Sequence, residues 1–148
     1  MPYRFPRIGA RANQVSTGFV PTVLIADDSA SMRRGVRFLL NRRRGELVVS
    51  EAVDGVDAIE KAKEEKPDLI LLDLAMPRLN GVEAASVLKN TLPETPIILF
   101  TMYTDLHADS LSAFIGVDFV SKADGVSKLL ERVDALLPPN PNEPPIHH

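Results

Sequence analysis

The chain has 148 residues, of which 45% are hydrophobic and 25% are charged, with a formal net charge of −3. These values are typical of one globular domain and give the chain as a whole no electrostatic attraction to nucleic acid. The sequence has no cysteine, which excludes disulfides, thiolate metal sites and a cysteine nucleophile. Its apolar runs are too short to span a membrane, and the N-terminus lacks a secretory signal core, so we expect a cytoplasmic protein.

The two ends of the chain differ in composition from the segment between them. Residues 1–21 contain Arg4, Arg7 and Arg11 but no acidic residue, and residues 138–148 contain five prolines. We predict a disordered leader over residues 1–21, a domain over residues 22–137 and a disordered proline-rich tail over residues 138–148. A basic tethering arm or an organelle presequence is the alternative interpretation of the leader.

Between these ends, short apolar runs alternate with segments of helical spacing. The apolar runs cover residues 23–26, 47–49, 69–72, 97–100 and 119–120. Helical spacing follows the first run and recurs over residues 55–66, around 82–88, near 105–114 and over 125–137. Near-continuous apolar runs are typical of parallel strands that are covered on both faces. Five successive strand–helix units therefore predict a doubly wound α/β sheet.

Polar residues with chemical potential lie at the ends of four predicted strands. Asp27 and Asp28 follow the first strand, and Asp73 follows the third. Thr101 follows the fourth strand, and Lys122 comes just after the fifth. Because ligands of doubly wound sheets bind beyond the carboxyl ends of the strands, we expect these five side chains to converge at one edge.

The chemistry of this set favours a divalent cation and a phosphoryl group. Clustered carboxylates repel one another unless they are protonated or share a cation, and oxygen ligands without His or Cys favour Mg²⁺. An ammonium and a hydroxyl beside such an ion suit a phosphoryl group. The sequence has no Gly-rich loop ending in Gly-Lys-Ser/Thr, so a P-loop nucleotidase is not expected. A phosphatase of the haloacid dehalogenase type is also disfavoured, because it needs a second aspartate where this chain has Ala75.

Two strings of residues resemble a known family. They are Asp27-Asp28-Ser29-Ala30-Ser31-Met32-Arg33-Arg34 and Asp73-Leu74-Ala75-Met76-Pro77, the second followed by Gly81. With Thr101 and Lys122, they resemble the receiver domain of two-component response regulators, the family of the single-domain chemotaxis regulator. The resemblance covers residues 21–137 and implies a (βα)5 flavodoxin-like parallel sheet with strand order 2-1-3-4-5.

The resemblance also implies a role for each site residue. Asp73 is expected to be the nucleophile, and Asp27, Asp28, Asp73 and the backbone carbonyl of Ala75 are expected to bind Mg²⁺. Lys122 is expected to pair with Asp73 and later with the phosphoryl oxygens. The alternatives are that Asp73 is a buried helix-capping acid, and that the 27/28 pair caps the first helix.

Two residues are expected to act as a switch. By the resemblance, Thr101 turns inward to bond the phosphoryl group, and Phe119 fills the space that Thr101 leaves. The alternative for Phe119 is an ordinary core residue. Ala123 and Met102 depart from common family patterns, which is expected to affect the loop before the last helix and the access to Asp73, respectively. Tyr103 and Ala75 occupy positions that the family uses to set the rate of acyl-phosphate hydrolysis, so we predict a lifetime different from that of the chemotaxis regulator.

The implied partners are proteins. The phosphoryl donor is expected to be a sensor histidine kinase or a histidine phosphotransfer protein, and a downstream protein target is expected to read the face of the fourth helix, fifth strand and last helix. We expect a stand-alone receiver, monomeric or weakly dimeric, that catalyses its own phosphorylation and dephosphorylation and binds neither nucleic acid nor membrane. A phosphorylation-independent interaction module is the alternative. The basic run at residues 42–44 is interpreted as complementing a helix dipole.

Overall fold

The computed structural model of the chain describes residues 20–102, 110, 113 and 115–137. Five parallel strands form one sheet in the order β2-β1-β3-β4-β5. The strands are β1 (Thr22–Ala26), β2 (Val48–Ala52), β3 (Leu69–Leu72), β4 (Ile97–Thr101) and β5 (Asp118–Ser121). The predicted doubly wound, flavodoxin-like order is therefore confirmed. The predictions for residues 1–19, residues 138–148, Tyr103 and most of the fourth predicted helix lie outside the described residues.

Helices follow the strands and begin at recognisable caps. They are α1 (Ala30–Arg44), α2 (Gly55–Glu65), α3 (Gly81–Thr91) and α4 (Val126–Leu136), and a 3₁₀ turn (Lys122–Asp124) precedes α4. The side chains of Ser29, Asp54 and Asn80 accept backbone N–H groups at the starts of α1, α2 and α3. In the part of the chain that the structure describes, no helix is both long and apolar enough to cross a membrane.

The core has two layers, one on each face of the sheet, because successive strand residues point to opposite faces. In β3, Ile70 and Leu72 face a layer built with α2 and α3, whereas Leu69 and Leu71 face the other layer. The buried helical residues of the α2 and α3 layer are mostly small, and they are Ala58, Ala62, Ala84, Ala85 and the larger Leu88. The α1 and α4 layer uses larger ones, which are Val36, Leu40, Leu129 and Val133.

The second strand is longer than the apolar run at residues 47–49 suggested. It extends over Val48–Ala52 and forms an edge of the sheet. Its polar residues bind neighbouring helices: Ser50 donates to Glu65 of α2, and Glu51 accepts from Arg33 of α1. An edge strand can carry such residues because each of its faces is only partly covered, so the apolar pattern ends before the strand does.

The basic run at the end of α1 has specific partners. Arg43 and Arg44 both bind Asp134 of α4, with the closest nitrogen–oxygen distances 2.6 and 3.0 Å. Arg44 is buried, at 4% exposure. These two cations therefore join α1 to α4 across the end of one core layer.

Candidate phosphoacceptor site

The three predicted carboxylates lie together at the carboxyl edge of the sheet. Strands β1 and β3 are neighbours and pair in register up to Ala26 and Leu72, so the residues that follow them emerge side by side. Each of Asp27, Asp28 and Asp73 offers an oxygen within 4.8 Å of the others. Asp27 and Asp73 are buried, whereas Asp28 is exposed. The structure therefore gathers the acids that were predicted to meet.

Lys122 enters the same cluster from the segment after β5. Its Nζ lies 2.9 Å from Oδ2 of Asp27 and 3.6 Å from Oδ1 of Asp73. Asp73 was expected to be the first partner of Lys122, but Asp27 is the nearer of the two. The ammonium also lies 5.6 Å from the centroid of the Phe100 ring, over its face. With only 8% of its side chain exposed, Lys122 is a buried cation held between two carboxylates.

The pKa of Asp73 is raised above its ordinary value. Burial is the main cause, and the negative charge of Asp27 adds to it. Lys122, a hydrogen bond from Thr101 and the Leu74 N–H oppose the rise. Without a further cation, the charged form of Asp73 is therefore less stable than that of an ordinary aspartate, which is typical of carboxylates at ligand-binding sites.

The acidic pair does not cap the first helix. Ser29 is the N-cap of α1, and its Oγ accepts the Met32 N–H at 3.2 Å. Asp27 instead accepts the Ser29 N–H through Oδ1 at 2.9 Å, while its Oδ2 binds Lys122. A residue missed by the sequence analysis supports this arrangement: Arg33 donates to the Asp27 backbone carbonyl at 2.6 Å and to Glu51 at 2.8 Å. Its place in the first turn of α1, shortly after the pair, was the available signal.

The loop between β3 and α3 carries Asp73 and the exposed Ala75, and it packs very closely. The Gly81 N–H donates to the Leu74 carbonyl at 2.8 Å. A Cβ built on Gly81 would lie 2.3 Å from the Asp73 carbonyl oxygen. Only glycine therefore permits α3 to begin this close to the backbone of Asp73.

Of the two predicted switch residues, Thr101 contacts this cluster and Phe119 lies on the neighbouring strand. Thr101 is buried, and its hydroxyl donates the hydrogen bond to the Asp73 carboxylate. Phe119 is partly buried in β5 and packs against the core layer of α2 and α3. Strands β4 and β5 are hydrogen-bonded neighbours, so both residues lie in the half of the sheet next to Asp73.

The donor set fits Mg²⁺. The cluster offers carboxylate oxygens only, which are the ligands that Mg²⁺ prefers. When all three acids are ionised, they leave two negative charges unbalanced by Lys122, and a divalent cation would neutralise them. The exposed Asp28 opens the cluster to solvent on one side, which suits an ion that keeps several waters.

Together, the sheet topology and the acidic edge define a doubly wound α/β domain with three carboxylates and a lysine at the carboxyl edge of its sheet. Residues 23–134 match the response regulator receiver domain family. The chain therefore belongs to the receiver domains of two-component response regulators.

Several known proteins are similar to this chain. The response regulator protein VraR of Staphylococcus saprophyticus is 38% identical over 112 residues, covering 75% of this chain and 54% of VraR. The response regulator domain of Thermotoga maritima CheB superposes with a TM-score of 0.73 at 31% identity, covering 86% of this chain and 100% of that one. Chemotaxis protein CheY4 of Vibrio cholerae superposes with a TM-score of 0.71 at 28% identity, covering 80% and 100%.

The matched curated relatives are longer proteins. The chain spans 37%, 34% and 54% of the length of three of them, so it corresponds to one part of each. Some relatives are named as transcriptional regulatory proteins. Our expectations that this chain acts alone and binds no nucleic acid therefore stay predictions.

Proposed function

We propose that this receiver accepts a phosphoryl group on Asp73, in the presence of Mg²⁺, from a phosphohistidine of a sensor histidine kinase or a histidine phosphotransfer protein. The observation that carries the proposal is the meeting of three carboxylates and Lys122 at one edge of the sheet. Nothing in the packing of the core requires three acids there. The raised pKa of Asp73 supports the same interpretation, because burial beside another carboxylate is unfavourable without a cationic ligand.

In the proposed reaction an oxygen of Asp73 attacks the phosphorus atom of the phosphohistidine. An oxygen–phosphorus bond forms, the phosphorus–nitrogen bond breaks, and the leaving imidazole takes up a proton from solvent. The Asp73 carboxylate needs no general base once it is ionised. Mg²⁺ bound by Asp27, Asp28, Asp73 and the Ala75 carbonyl would neutralise charge on the transferred group. Lys122 lies close enough to Asp73 to bind a phosphoryl oxygen by a small movement of its ammonium.

Phosphorylation would then change contacts beyond Asp73. A phosphoryl group adds about −1.5 to −2 charge at one point. In our proposal Thr101 transfers its hydrogen bond from the Asp73 carboxylate to a phosphoryl oxygen, and Phe119 moves into the space released. The altered surface, which includes β5 and α4, would be read by a downstream protein partner.

Acetyl phosphate, a small phosphoryl donor, tests this proposal without a known kinase. We expect intact-mass spectrometry to show one added phosphoryl group on the native protein with Mg²⁺, and none on Asp73→Asn or after addition of a chelator. Asp118→Asn is a matched control, because Asp118 is a carboxylate of β5 that pairs with Arg132 outside the site. An unmodified native protein would contradict the proposal and favour an interaction module that works without phosphorylation.

A second measurement addresses the cation. We expect Mg²⁺ to raise the melting temperature of the native protein. Asp28→Asn should reduce this rise without lowering the melting temperature in chelator, because Asp28 is exposed and contributes little to folding. An equal rise in the native protein and in Asp28→Asn would remove Asp28 from the proposed ligand set.

A further inference from the structure

An ion pair outside the acidic cluster holds the loop that carries Asp73. Arg78, five residues beyond Asp73, donates through Nε to Oδ2 of Asp54 at 2.8 Å and through Nη2 to Oδ1 at 3.1 Å. This two-pronged geometry fixes orientation as well as distance. Asp54 is the N-cap of α2, where it also accepts the Asp57 N–H at 2.8 Å. The pair therefore joins the β3–α3 loop to the start of a neighbouring helix.

The backbone of Arg78 supports the idea of a held loop. Its φ of 67° lies in the left-handed region, which a residue with a long side chain rarely adopts. Such a conformation persists when the surroundings impose it. Here the imposing contacts are the ion pair to Asp54 on one side and the hydrogen bond from the Leu79 N–H to the Pro77 carbonyl, 2.7 Å, on the other.

The loop also presses against the start of α2. A Cβ built on Gly55 would lie 2.0 Å from the Leu79 carbonyl oxygen. Glycine at this position thus lets the loop approach α2 at the point where Asp54 binds Arg78. The steric fit and the ion pair act on consecutive residues of each partner, which makes the contact specific.

We propose that the Asp54–Arg78 pair is a positioning device, here named the latch, that holds the β3–α3 loop in the geometry needed for Mg²⁺ binding. This inference rests on the proposed function, since it assigns Ala75 of the same loop as a ligand. Arg78 is 59% exposed, so a pair of this kind contributes little to global stability. We expect the pair to affect the conformation of the loop, where Arg78 lies three residues from Ala75, rather than the stability of the core.

Two substitutions remove the ion pair while keeping the helix cap at residue 54 and the backbone conformation at residue 78. Asp54→Asn removes the negative charge but keeps an N-cap acceptor for α2, because Asn caps helices as well as Asp does. Arg78→Asn removes the guanidinium with a residue that tolerates positive φ. We expect each substitution to weaken Mg²⁺ binding about fivefold. This effect is somewhat smaller than that of losing a residue that hydrogen-bonds to a metal ligand. The double variant should be no weaker than either single one.

Loop order gives a readout that needs no metal. In chelator, we expect amide hydrogen exchange at Leu79 and Gly81 to become about tenfold faster in both variants, while exchange in the core strands is unchanged. Asp118→Asn is again the control, because it removes the charge from another arginine–aspartate pair, in which Nε and Nη2 of Arg132 both bind Oδ2 of Asp118, and leaves the loop untouched. It should change neither exchange in the loop nor affinity for Mg²⁺.

The outcomes distinguish the latch from the proposed function. If calorimetry finds Mg²⁺ binding in the native protein but equal affinity in both latch variants, the latch is wrong and the proposed function stands. If the native protein binds no Mg²⁺, both are overturned. Weakened binding in both latch variants, with faster exchange confined to the loop and an unaffected Asp118→Asn, supports the latch.

Discussion

Two carboxylates at the same edge of the sheet have similar exposed fractions but opposite electrostatic environments. Asp54 is 7% exposed and Asp73 is 8% exposed. The Arg78 guanidinium and the Asp57 N–H hold the pKa of Asp54 below its ordinary value. Burial and the charge of Asp27 raise the pKa of Asp73. Similar exposure therefore accompanies opposite preferences for the charged form.

The difference separates Asp54, whose charge is balanced within the fold, from Asp73, the proposed phosphoacceptor. The charge of Asp54 is matched within the fold by a cation and a helix N-terminus, so its ionised form is stabilised. Asp73 shares one ammonium with Asp27, and that ammonium lies nearer to Asp27. An acid whose negative charge is only partly balanced is suited to binding a cation and accepting a phosphoryl group. An acid whose charge is fully balanced is suited to holding a loop in place. The following predictions test this contrast.

The largest expected effect comes from the glycine against Asp73. Gly81→Ala places a Cβ 2.3 Å from the Asp73 carbonyl, so α3 and the loop must separate. We expect the free energy of unfolding to fall by about 3 kcal/mol, and acetyl phosphate to label the variant poorly. Chemical denaturation measures the first effect and intact-mass spectrometry the second.

Gly35→Ala is the matched control for this substitution. Gly35 lies within α1, and among the described residues no atom outside its own stretch of the helix lies within 4 Å of where the alanine Cβ would be. We expect a gain of about 0.5–1 kcal/mol, because alanine is the better helix former. A loss in Gly81→Ala no larger than about 0.5 kcal/mol, on the scale of an ordinary surface substitution, would contradict the close packing at Asp73.

The next largest effect concerns the shared cation. Lys122→Met keeps an apolar chain over Phe100 but leaves Asp27 and Asp73 without an ammonium. We expect a loss of about 2–3 kcal/mol at neutral pH in chelator, because the remaining charges are buried and unpaired. Mg²⁺ should restore part of it. In Arg132→Met, which breaks an exposed pair, the loss should stay within about 1 kcal/mol. Equal losses in the two variants would show that Lys122 has no special role.

A smaller effect of opposite sign is expected at Asp73 itself. A raised folded-state pKa means that protonation of Asp73 favours folding, so stability is lost as pH rises through that pKa. Asp73→Asn should therefore be more stable than the native protein at neutral pH in chelator, by about 1 kcal/mol. The difference should disappear below the ordinary value of 3.8. Denaturation across this pH range measures it, and a less stable Asp73→Asn at neutral pH would contradict the prediction.

The smallest effect is expected at Asp54, and its pH dependence is opposite to that of Asp73. A lowered folded-state pKa contributes stability above the ordinary value of 3.8, and this is lost as pH falls through the lower folded value. Asp54→Asn should be slightly less stable than the native protein at neutral pH and equal to it in acid. The same denaturation series tests this. A gap that widens towards low pH would show that the Arg78 pair does not stabilise the charged form.

The sequence by itself determined the fold class and the set of polar residues that meet at the carboxyl edge of the sheet. Apolar runs that alternate with helical spacing predict parallel strands, and parallel strands bring their carboxyl ends to one edge. Asp27, Asp28, Asp73, Thr101 and Lys122 could therefore be placed together without coordinates. Local pattern suffices for this because it records which residues are buried and where each strand ends.

Only the tertiary structure decided how the side chains pair. It showed Lys122 nearer to Asp27 than to Asp73, the ion pair between Asp54 and Arg78, and an edge strand that extends to Ala52. Asp54 and Arg78 are 24 positions apart, and the sequence pattern of neither segment predicts that these two residues pair. Periodicity reports the burial of each element separately, whereas an ion pair depends on the distance between two elements, which packing alone sets.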